Sequence, residues 1–239
     1  MPNPTAAMLV IGDEILSGRT RDANAHYLAQ ELAKRGIDLL EIRVVRDEAP
    51  AIVSAVRALS SAVDHLFTSG GIGPTHDDIT ADCIAAAFAT PIDVRDDARA
   101  LLQAHYDQTG KELNAARLRM ARIPDGATLI DNPVSIAPGF TLQNVHVMAG
   151  VPSVFQAMVA SVLATVSGGA ALYSQSVRVD RGEGDIAGPL AELARAFPEV
   201  SIGSYPFQEN GAYGSNIVVR CADAAAVDAA VLKLTNLFS

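Results

Sequence analysis

Apolar residues along this chain fall into short, mostly apolar runs that alternate with longer stretches in which they recur at helical spacing. The short runs, at residues 6–11, 37–46, 64–68 and 145–148, predict strands buried on both faces of a sheet. The helical stretches begin at Asp22, at Ala49 and after residues 149–153. Strands and helices in alternation are typical of a three-layer α/β/α domain with a mainly parallel sheet.

A small flexible break at residues 167–170, Ser-Gly-Gly-Ala, divides the chain into predicted domains at residues 1–168 and 169–239. Beyond the break, the pattern predicts strands and helices at residues 174–179, 185–196, 201–206, 216–221 and 224–237. This βαββα order indicates a small α+β domain, and we find no catalytic pattern in it.

The segment at residues 91–122 carries many charges and two helical patterns, at residues 96–106 and 114–120. Its basic members could contact phosphates, but a solvated helical face is the interpretation that we favour. They are Lys111, Arg117, Arg119 and Arg122. The next residues are typical of a turn at 123–127, a short strand at 128–130 and a proline-rich loop at 132–140.

The most informative stretch is residues 68–80, Thr-Ser-Gly-Gly-Ile-Gly-Pro-Thr-His-Asp-Asp-Ile-Thr, which joins a predicted strand to a helix. Gly70, Gly71 and Gly73 permit positive φ and close approach of a ligand to the main chain, and Pro74 stiffens the exit. Main-chain amides in such a loop form an oxyanion site, most often for phosphate. The loop lacks the Lys-Ser/Thr ending of a Walker A motif and the third glycine of a dinucleotide fingerprint.

The alternative interpretation is a tight turn from strand to helix, in which Thr75 and Asp78 form a variant capping box. In either case we expect the helix to begin between these two residues. Asp78 and Asp82 would then share one helix face.

Acidic residues favour the ligand-binding interpretation of the loop. Asp77, Asp78 and Asp82 adjoin it, and Asp13, Glu14 and Asp47 follow two other predicted strands. Carboxylates repel a phosphate unless a hard cation such as Mg²⁺ lies between them. The sequence therefore predicts a metal-assisted site for a phosphorylated ligand, although Asp13 and Glu14 could be ordinary turn residues. Asn24 could cap its helix or reach this site.

Composition narrows the class of partner. A net charge of −9 and a pI near 4.9 argue against nucleic acid and against an anionic membrane surface. Cys83 and Cys221 lie in apolar patterns, which indicates buried thiols in a reducing cytoplasm. The first residues lack a basic leader and the run at residues 6–11 is too short to span a membrane, so we expect a soluble cytoplasmic protein. The alanine-rich helices could pack against a second copy, in a homo-oligomer such as a dimer or trimer.

Five motifs together resemble the N-terminal half of the competence/damage-inducible protein CinA and the wider molybdopterin-binding domain of MoaB, MogA and MoeA. They are Ile11-Gly12-Asp13-Glu14-Ile15-Leu16-x-Gly18, Asp22-x-Asn24, Val45-x-Asp47, Gly70-Gly71-Ile72-Gly73-Pro74-Thr75-x-Asp77-Asp78-Ile79-Thr80 and Ala137-Pro138-Gly139-Phe140.

The resemblance implies a three-layer domain that binds molybdopterin or an adenylylated relative in molybdenum cofactor metabolism. In the CinA branch it implies a pyrophosphatase for ADP-ribose-like nucleotides, dependent on Mg²⁺, Mn²⁺ or Co²⁺. The implied ligand-binding residues are Gly12, Asn24, Gly70, Gly71, Gly73, Pro74, Thr75, Thr80, Pro138 and Gly139. The implied metal ligands are Asp13, Glu14, Asp47 and Asp78, and the implied catalytic residues are Asp13, Asp77 and Asp78.

The chain departs from the family pattern at two places. Ser135-Ile136 stands where Gly-Thr is usual, and Val154 replaces a glutamate. The amidohydrolase domain of full-length CinA is also missing from this sequence, so nicotinamide-nucleotide deamidation is not carried over. Three hypotheses remain: a protein that binds or handles a phosphorylated pterin or nucleotide, a metal-dependent pyrophosphatase, and a non-catalytic assembly protein with a degenerate pocket.

Overall fold

The computed structural model describes residues 2–209 and 211–238. It divides into two compact units, Met1–Gly169 and Ala170–Ser239. No helix in the described part of the chain is both long enough and apolar enough to cross a membrane.

The first unit alternates strands and helices. Its strands are β1 (Thr5–Ile11), β2 (Asp38–Val45), β3 (His65–Ser69), β4 (Ile92–Val94), β5 (Arg122–Pro124), β6 (Thr128–Ile130), β7 (Gly139–Leu142) and β8 (Val145–Met148). Its helices are α1 (Asp13–Leu16), α2 (Asn24–Lys34), α3 (Ala49–Ser60), α4 (Thr80–Ala87), α5 (Asp96–Thr109), α6 (Ala115–Leu118) and α7 (Pro152–Leu163), with a 3-10 turn at Arg119–Ala121.

Six strands form one sheet in the order β2-β1-β3-β8-β7-β6. The first four run parallel, and β7 and β6 are antiparallel to their neighbours. β1 is buried on both faces: Leu9 and Ile11 pack with residues of α3 and α4, while Met8 and Val10 pack with residues of α2 and α7. The predicted three-layer α/β/α architecture with a mainly parallel sheet is confirmed.

The strand order creates a switch point between β1 and β3. The chain leaves β1 through α2 to reach β2 on one side, then passes through α3 to β3 on the other side. Segments that follow adjacent strands therefore diverge and leave a crevice at the carboxyl ends, which is where open α/β sheets bind ligands.

The second unit contains β9 (Tyr173–Val179), α8 (Glu183–Ala196), β10 (Ser201–Glu209), β11 (Ala212–Cys221) and α9 (Ala224–Phe238). Its three strands form an antiparallel sheet in the order β10-β11-β9. Ile217 and Val219 of the central strand pack with Leu193 of α8 and Leu234 of α9. The predicted βαββα order and the small α+β fold are confirmed.

The helix after the glycine-rich loop begins later than the sequence pattern indicated. We expected it to start between Thr75 and Asp78, whereas α4 starts at Thr80. The Asp78 side chain instead closes a turn by accepting a hydrogen bond from the Thr75 amide, at 2.8 Å. Asp78 therefore lies outside the helix, and the expectation that it shares a helix face with Asp82 was wrong.

Four short elements escaped the sequence analysis. β4 and β5 pair with each other, although this segment was interpreted as helices and a turn. β7 begins inside the predicted proline-rich loop, and α1 occupies the start of a predicted loop. Elements of three or four residues contain too little hydrophobic periodicity to be recognised from sequence.

Candidate functional site

A cavity of about 690 Å³ opens at the carboxyl edge of the parallel strands. Its walls come from the segments after β1, β2, β3 and β8, from the 3-10 turn and from the proline-rich loop. The lining residues are Ile11, Gly12, Glu14, Thr20, Asp47, Gly70, Gly71, Ile72, Gly73, Pro74, Asp77, Asp78, Met120, Asn132, Ser135, Ala137, Ala149, Gly150, Val151 and Val154. The crevice predicted by the strand order is thus a real space of the size that small-molecule sites occupy.

The first two glycines of the glycine-rich loop, Gly70 and Gly71, cannot be replaced by a residue with a Cβ atom without strain. Gly70 and Gly71 have φ values of 109° and 69°. A Cβ on Gly70 would lie 2.1 Å from the Ile11 carbonyl oxygen, and one on Gly71 would lie 2.1 Å from Thr80 Oγ1. Both the backbone conformation and the close packing therefore require glycine.

Thr80 anchors this loop from below. Its hydroxyl donates to the Gly70 carbonyl at 2.9 Å, and its amide donates to the Gly71 carbonyl at 3.0 Å. The Gly70 amide donates in turn to Met148 O at 3.1 Å, which fixes the loop to β8. Thr80 is fully buried and does not line the cavity. In this structure it holds the loop's shape.

The next three amides are left without partners. Within the described residues, the N–H groups of Gly71, Ile72 and Gly73 have no hydrogen-bond acceptor, and all three residues line the cavity. Consecutive free amides in a turn form a concave site for an anion. The main chain therefore offers the donors that a phosphoryl group needs.

Two aspartates sit on the far side of this loop. Asp78 accepts hydrogen bonds from both the amide and the hydroxyl of Thr75. The Thr75 hydroxyl and the Asp77 amide lower the pKa of Asp77. Both carboxyl groups line the cavity, whereas Thr75 is occupied in holding the turn together.

Asp47, after β2, completes the acidic side of the cavity with Glu14. Burial raises the pKa of Asp47; the hydrogen bond from the Asp13 amide, at 2.9 Å, opposes this, and the nearby Glu14, Asp13 and Asp77 carboxylates add to it. Repulsion from neighbouring acids in a cleft is a common property of binding and catalytic sites. Across residues 2–209 and 211–238, however, no three His, Cys, Asp or Glu side chains converge as a group that could hold a metal ion.

Asp13 is not part of the cavity lining, and its side chain pairs with Arg46. Its carboxylate lies 3.3 Å from Arg46 Nε, and its side chain is 60% exposed. Together these residues line a separate surface depression. The main-chain amide of Asp13 still orients Asp47, so the residue contributes to the cavity through its backbone.

Asn24 ties two strand ends together. It is 4% exposed, and its amide nitrogen donates to Ser69 Oγ at 2.8 Å and to Gly150 O at 2.7 Å. Its Oδ1 is buried without a partner in the described structure, next to a recess of about 60 Å³. That space is sufficient for water. Asn24 thus fixes the carboxyl ends of β3 and β8 side by side.

The two middle residues of the Ala-Pro-Gly-Phe motif, Pro138 and Gly139, lie in different surroundings. Pro138 lines a small recess beside the glycine-rich loop. Gly139 lies in β7, where a Cβ would come within 2.4 Å of the Val147 carbonyl oxygen. Gly139 does not line the large cavity, and its packing against β8 is enough to require glycine.

Sequence reasoning missed the apolar side of the cavity. Ile72, Met120, Val151 and Val154 form much of it, from four different segments. No periodicity links residues that are so far apart in sequence. The departure at Val154 could have indicated this wall, since it places an apolar side chain where the family has a carboxylate.

The proline-rich loop contributes polar groups that were not predicted either. Asn132 donates to Ser135 Oγ at 2.7 Å and to Ala137 O at 2.8 Å, and it accepts from the amides of Val134 and Ser135. Ile136 within this loop has a φ of 67°. This conformation is strained for a β-branched residue.

Arg119 and Arg122 lie beside the glycine-rich loop and not on a solvated helical face. Both line the recess that contains Gly71, Ile72 and Gly73. The favoured interpretation of these two arginines was therefore wrong. The 3-10 turn and the β4–β5 pair bring them to the loop, and neither element had been predicted.

The fold and the cavity define an α/β domain with a glycine-rich loop beside a cavity at its switch point. Residues 7–167 match the family described as "Probable molybdopterin binding domain". The chain belongs to this family. Residues 171–239 match the family described as "FAD synthase, middle domain".

Similar proteins include a "Probable FAD synthase" of Caenorhabditis briggsae, 32% identical over 98% of this chain and 49% of the relative. The chain spans about half the length of this curated relative. A protein of Pyrobaculum calidifontis is 32% identical over 98% of this chain and 95% of its own length. Among solved structures, the protein CinA of Thermoplasma acidophilum, described as of unknown function, aligns with a TM-score of 0.63 and 30% identity. That alignment covers 69% of this chain and 99% of CinA, and the CinA-like fold is confirmed.

Proposed function

We propose that this protein binds a small ligand that carries a phosphoryl group and a planar ring. The observation that carries the proposal is the row of three amides at Gly71, Ile72 and Gly73 that have no acceptor among the described residues, in a loop that lines the cavity. The three residues are only partly buried, so their donors are open to water or to a ligand. A phosphoryl group offers acceptor oxygens in the arrangement that such a turn needs.

The apolar wall supports a ring-bearing ligand. Ile72, Met120, Val151 and Val154 provide a surface against which a flat heterocycle can pack. A phosphate alone would leave this wall exposed to water, so the cavity favours a larger molecule.

Two ligand classes fit this description. Membership of the molybdopterin-binding family supports a phosphorylated pterin such as molybdopterin, and with it a role in molybdenum cofactor metabolism. The match to an FAD synthase middle domain, and relatives called probable FAD synthases, support a flavin nucleotide. Both classes combine a flat ring system with phosphate.

A divalent ion such as Mg²⁺, Mn²⁺ or Co²⁺ would be compatible with the acidic side of the cavity. Mg²⁺ is commonly held by one or two carboxylates together with phosphate oxygens of the ligand, so a preformed group of three acids is not required. Glu14, Asp47, Asp77 and Asp78 are the residues that would hold it. When bound, the ion would offset the repulsion between these acids and the phosphate.

Hydrolysis of a dinucleotide is the second candidate function, because the four acids share one cavity with the phosphate-binding amides. Asp47, Asp77 and Asp78 line the cavity and would orient a water beside a bound diphosphate, whereas Asp13 is not part of the lining and pairs with Arg46. We expect AMP release from ADP-ribose or FAD if this function is correct. Turnover that survives in both Asp77→Asn and Asp78→Asn would remove the catalytic role. An assembly protein with a degenerate pocket would show neither binding nor turnover.

Calorimetric titration with ADP-ribose, FMN and FAD, each with Mg²⁺, tests the binding proposal. Gly71→Ala is the decisive variant, because its Cβ would meet Thr80 and displace the amides. Gly110→Ala is a matched control: Gly110 has a φ of 65°, close to the 69° of Gly71, but nothing lies within 4 Å of an added Cβ. The two variants share the backbone strain and differ in the steric overlap.

We expect the parent protein and Gly110→Ala to bind at least one of the three ligands. Gly71→Ala should bind it about tenfold to a hundredfold more weakly, as expected for the loss of one or two hydrogen bonds to a charged group. Equal affinities of Gly71→Ala and Gly110→Ala would contradict the proposed role of the loop.

A further inference from the structure

Arg119 lies against the back of the glycine-rich loop. It is half-buried in the 3-10 turn, and its Nη2 donates to the main-chain carbonyl of Asp78 at 3.2 Å. Its Nε is buried and has no acceptor among the described residues. Among the described residues, no carboxylate forms an ion pair with Arg119. A half-buried cation without an anionic partner is unfavourable unless something else neutralises it.

The surroundings of Arg119 show where its charge acts. It borders a recess of about 20 Å³, room for a single water, which is also lined by Gly71, Ile72 and Gly73 and by the acids Asp78 and Asp82. The same three loop residues line the large cavity. The loop is therefore shared by the recess that Arg119 borders and by the cavity that contains the proposed phosphoryl site.

The neighbouring arginines are differently placed. Arg122 forms an ion pair with Asp82 at 2.5 Å, so its charge is compensated. The Arg117 guanidinium lies over the Tyr106 ring, 4.7 Å from its centroid, and is absent from the lining of both the recess and the cavity. Of the three, only Arg119 combines an uncompensated charge with contact to the loop.

The charge balance of the cavity calls for such a cation. Glu14, Asp47, Asp77 and Asp78 all lie on its walls, and no lysine or arginine is part of the lining. Without a cation, the amide dipoles alone would have to offset the repulsion between a bound phosphate and these four carboxylates. Charges a few ångströms apart and partly shielded from water interact several times more strongly than in bulk solvent.

We propose that Arg119 supplies the fixed positive charge for the phosphoryl group, acting through the loop while its bond to the Asp78 carbonyl holds the loop in position. This inference rests on the proposed binding function. It makes Arg119 a positioning residue and predicts that the site selects an anion even without a divalent ion.

The test uses the full chain and ADP-ribose as the probe, titrated without divalent ions at low and at high salt. Arg119→Met removes the charge and keeps the length of the side chain, and Arg119→Lys keeps the charge. Arg117→Met removes a nearby arginine that does not touch the loop, and it serves as the matched control. Circular dichroism and the midpoint of thermal unfolding establish that each variant is folded.

We expect Arg119→Met to weaken binding about tenfold or more at low salt, and its affinity to depend less on salt than that of the parent. Arg119→Lys should restore most of the affinity, and Arg117→Met should match the parent. Unchanged affinity in Arg119→Met would overturn the inference. So would an equal loss in Arg119→Lys, since a purely structural arginine would not be rescued by charge. If Arg119→Met does not fold, Arg119→Gln takes its place with the same expectations.

The Gly71→Ala variant separates the two proposals. If Gly71→Ala loses binding and Arg119→Met does not, the loop binds the ligand and the inference about Arg119 is wrong. If neither variant changes the affinity, or if the parent does not bind a phosphorylated probe, the proposed function and the inference fall together.

Discussion

The two ends of the parallel sheet handle their polar groups in opposite ways. At the amino end, Thr5 and Asp64 exchange three hydrogen bonds of 2.7–3.1 Å, and Asn144 donates to two carbonyl oxygens. At the carboxyl end, within the described residues, three amides lack acceptors, and the cavity acids Glu14, Asp47, Asp77 and Asp78 form no ion pair with a lysine or arginine. One end satisfies its polar groups internally, and the other leaves them available to a ligand.

The same division holds for buried groups. His146 at the amino end lies 3.2 Å from His65 and 3.0 Å from the Thr141 hydroxyl, so both its ring nitrogens have partners. Asn24 at the carboxyl end keeps a buried oxygen without one in the described structure. Polar groups that lack a hydrogen-bond partner within the protein concentrate at functional sites. The comparison therefore supports the proposed site at the carboxyl end on grounds that do not depend on the family resemblance.

Gly70→Ala should produce the largest loss of stability, because Gly70 is where the functional loop meets the central strand. An added Cβ would lie 2.1 Å from the Ile11 carbonyl, at a φ of 109°. We expect the free energy of unfolding to fall by about 3 kcal/mol or more, from backbone strain and from overlap with an atom that cannot move aside.

Urea unfolding followed by circular dichroism measures this change. Gly126→Ala is the control, since Gly126 has a φ of 78° and open space around an added Cβ. It should cost only about 1 kcal/mol. Equal losses of stability in the two variants would show that the loop tolerates a side chain at Gly70. The contrast between the amino and carboxyl ends of the sheet would then be weaker.

The amino end should respond to acid through His146. Burial, and to a lesser extent the nearby His65, lower the pKa of His146 from 6.5 to about 4. Between these values the unfolded chain binds a proton that the folded chain does not, so stability falls as the pH falls from 6.5 towards 4. The full effect, reached below the folded-state pKa, is about 3 kcal/mol.

Stability measured across this pH range in the parent and in His146→Gln checks the expectation. The variant should lose most of the decline, although His65, whose pKa burial also lowers, leaves a residual one. His26→Gln, which removes an exposed histidine of α2, is the control and should keep the parental slope. An unaltered slope in His146→Gln would show that the amino end has no buried titrating group of this kind.

Sequence patterns predicted the sheet and its covering helices because those elements depend on repeated apolar positions. β1 is the clearest case, with six buried residues in succession from Ala6 to Ile11. The glycine-rich loop was also recognisable, since the positive φ at Gly70 and Gly71 restricts the residue type locally.

The rest of the site depends on long-range placement. The apolar wall is formed by residues that are far apart in sequence, such as Ile72 and Val154. Arg119 lies beside the loop because the segment that contains it is held by the pairing of β4 with β5. The side-chain turn between Thr75 and Asp78 also delays the helix beyond its expected start. Local propensity contains no information on which distant segments will meet, so these features required the structure.

The smallest expected effect concerns Ile136, which carries backbone strain at the rim of the cavity. Its φ of 67° is unfavourable for a β-branched residue, by about 1–2 kcal/mol. Ile136→Gly should therefore stabilise the protein by about 0.5–1 kcal/mol, after the extra chain entropy of glycine is deducted. Val134→Gly, in the same loop at a residue without positive φ, should destabilise it instead. Urea unfolding of the two variants gives the signs. A loss of stability in Ile136→Gly would mean that packing of the isoleucine side chain outweighs the strain. The proline-rich loop at the carboxyl end would then be held in place by apolar contacts, as the strands of the sheet are.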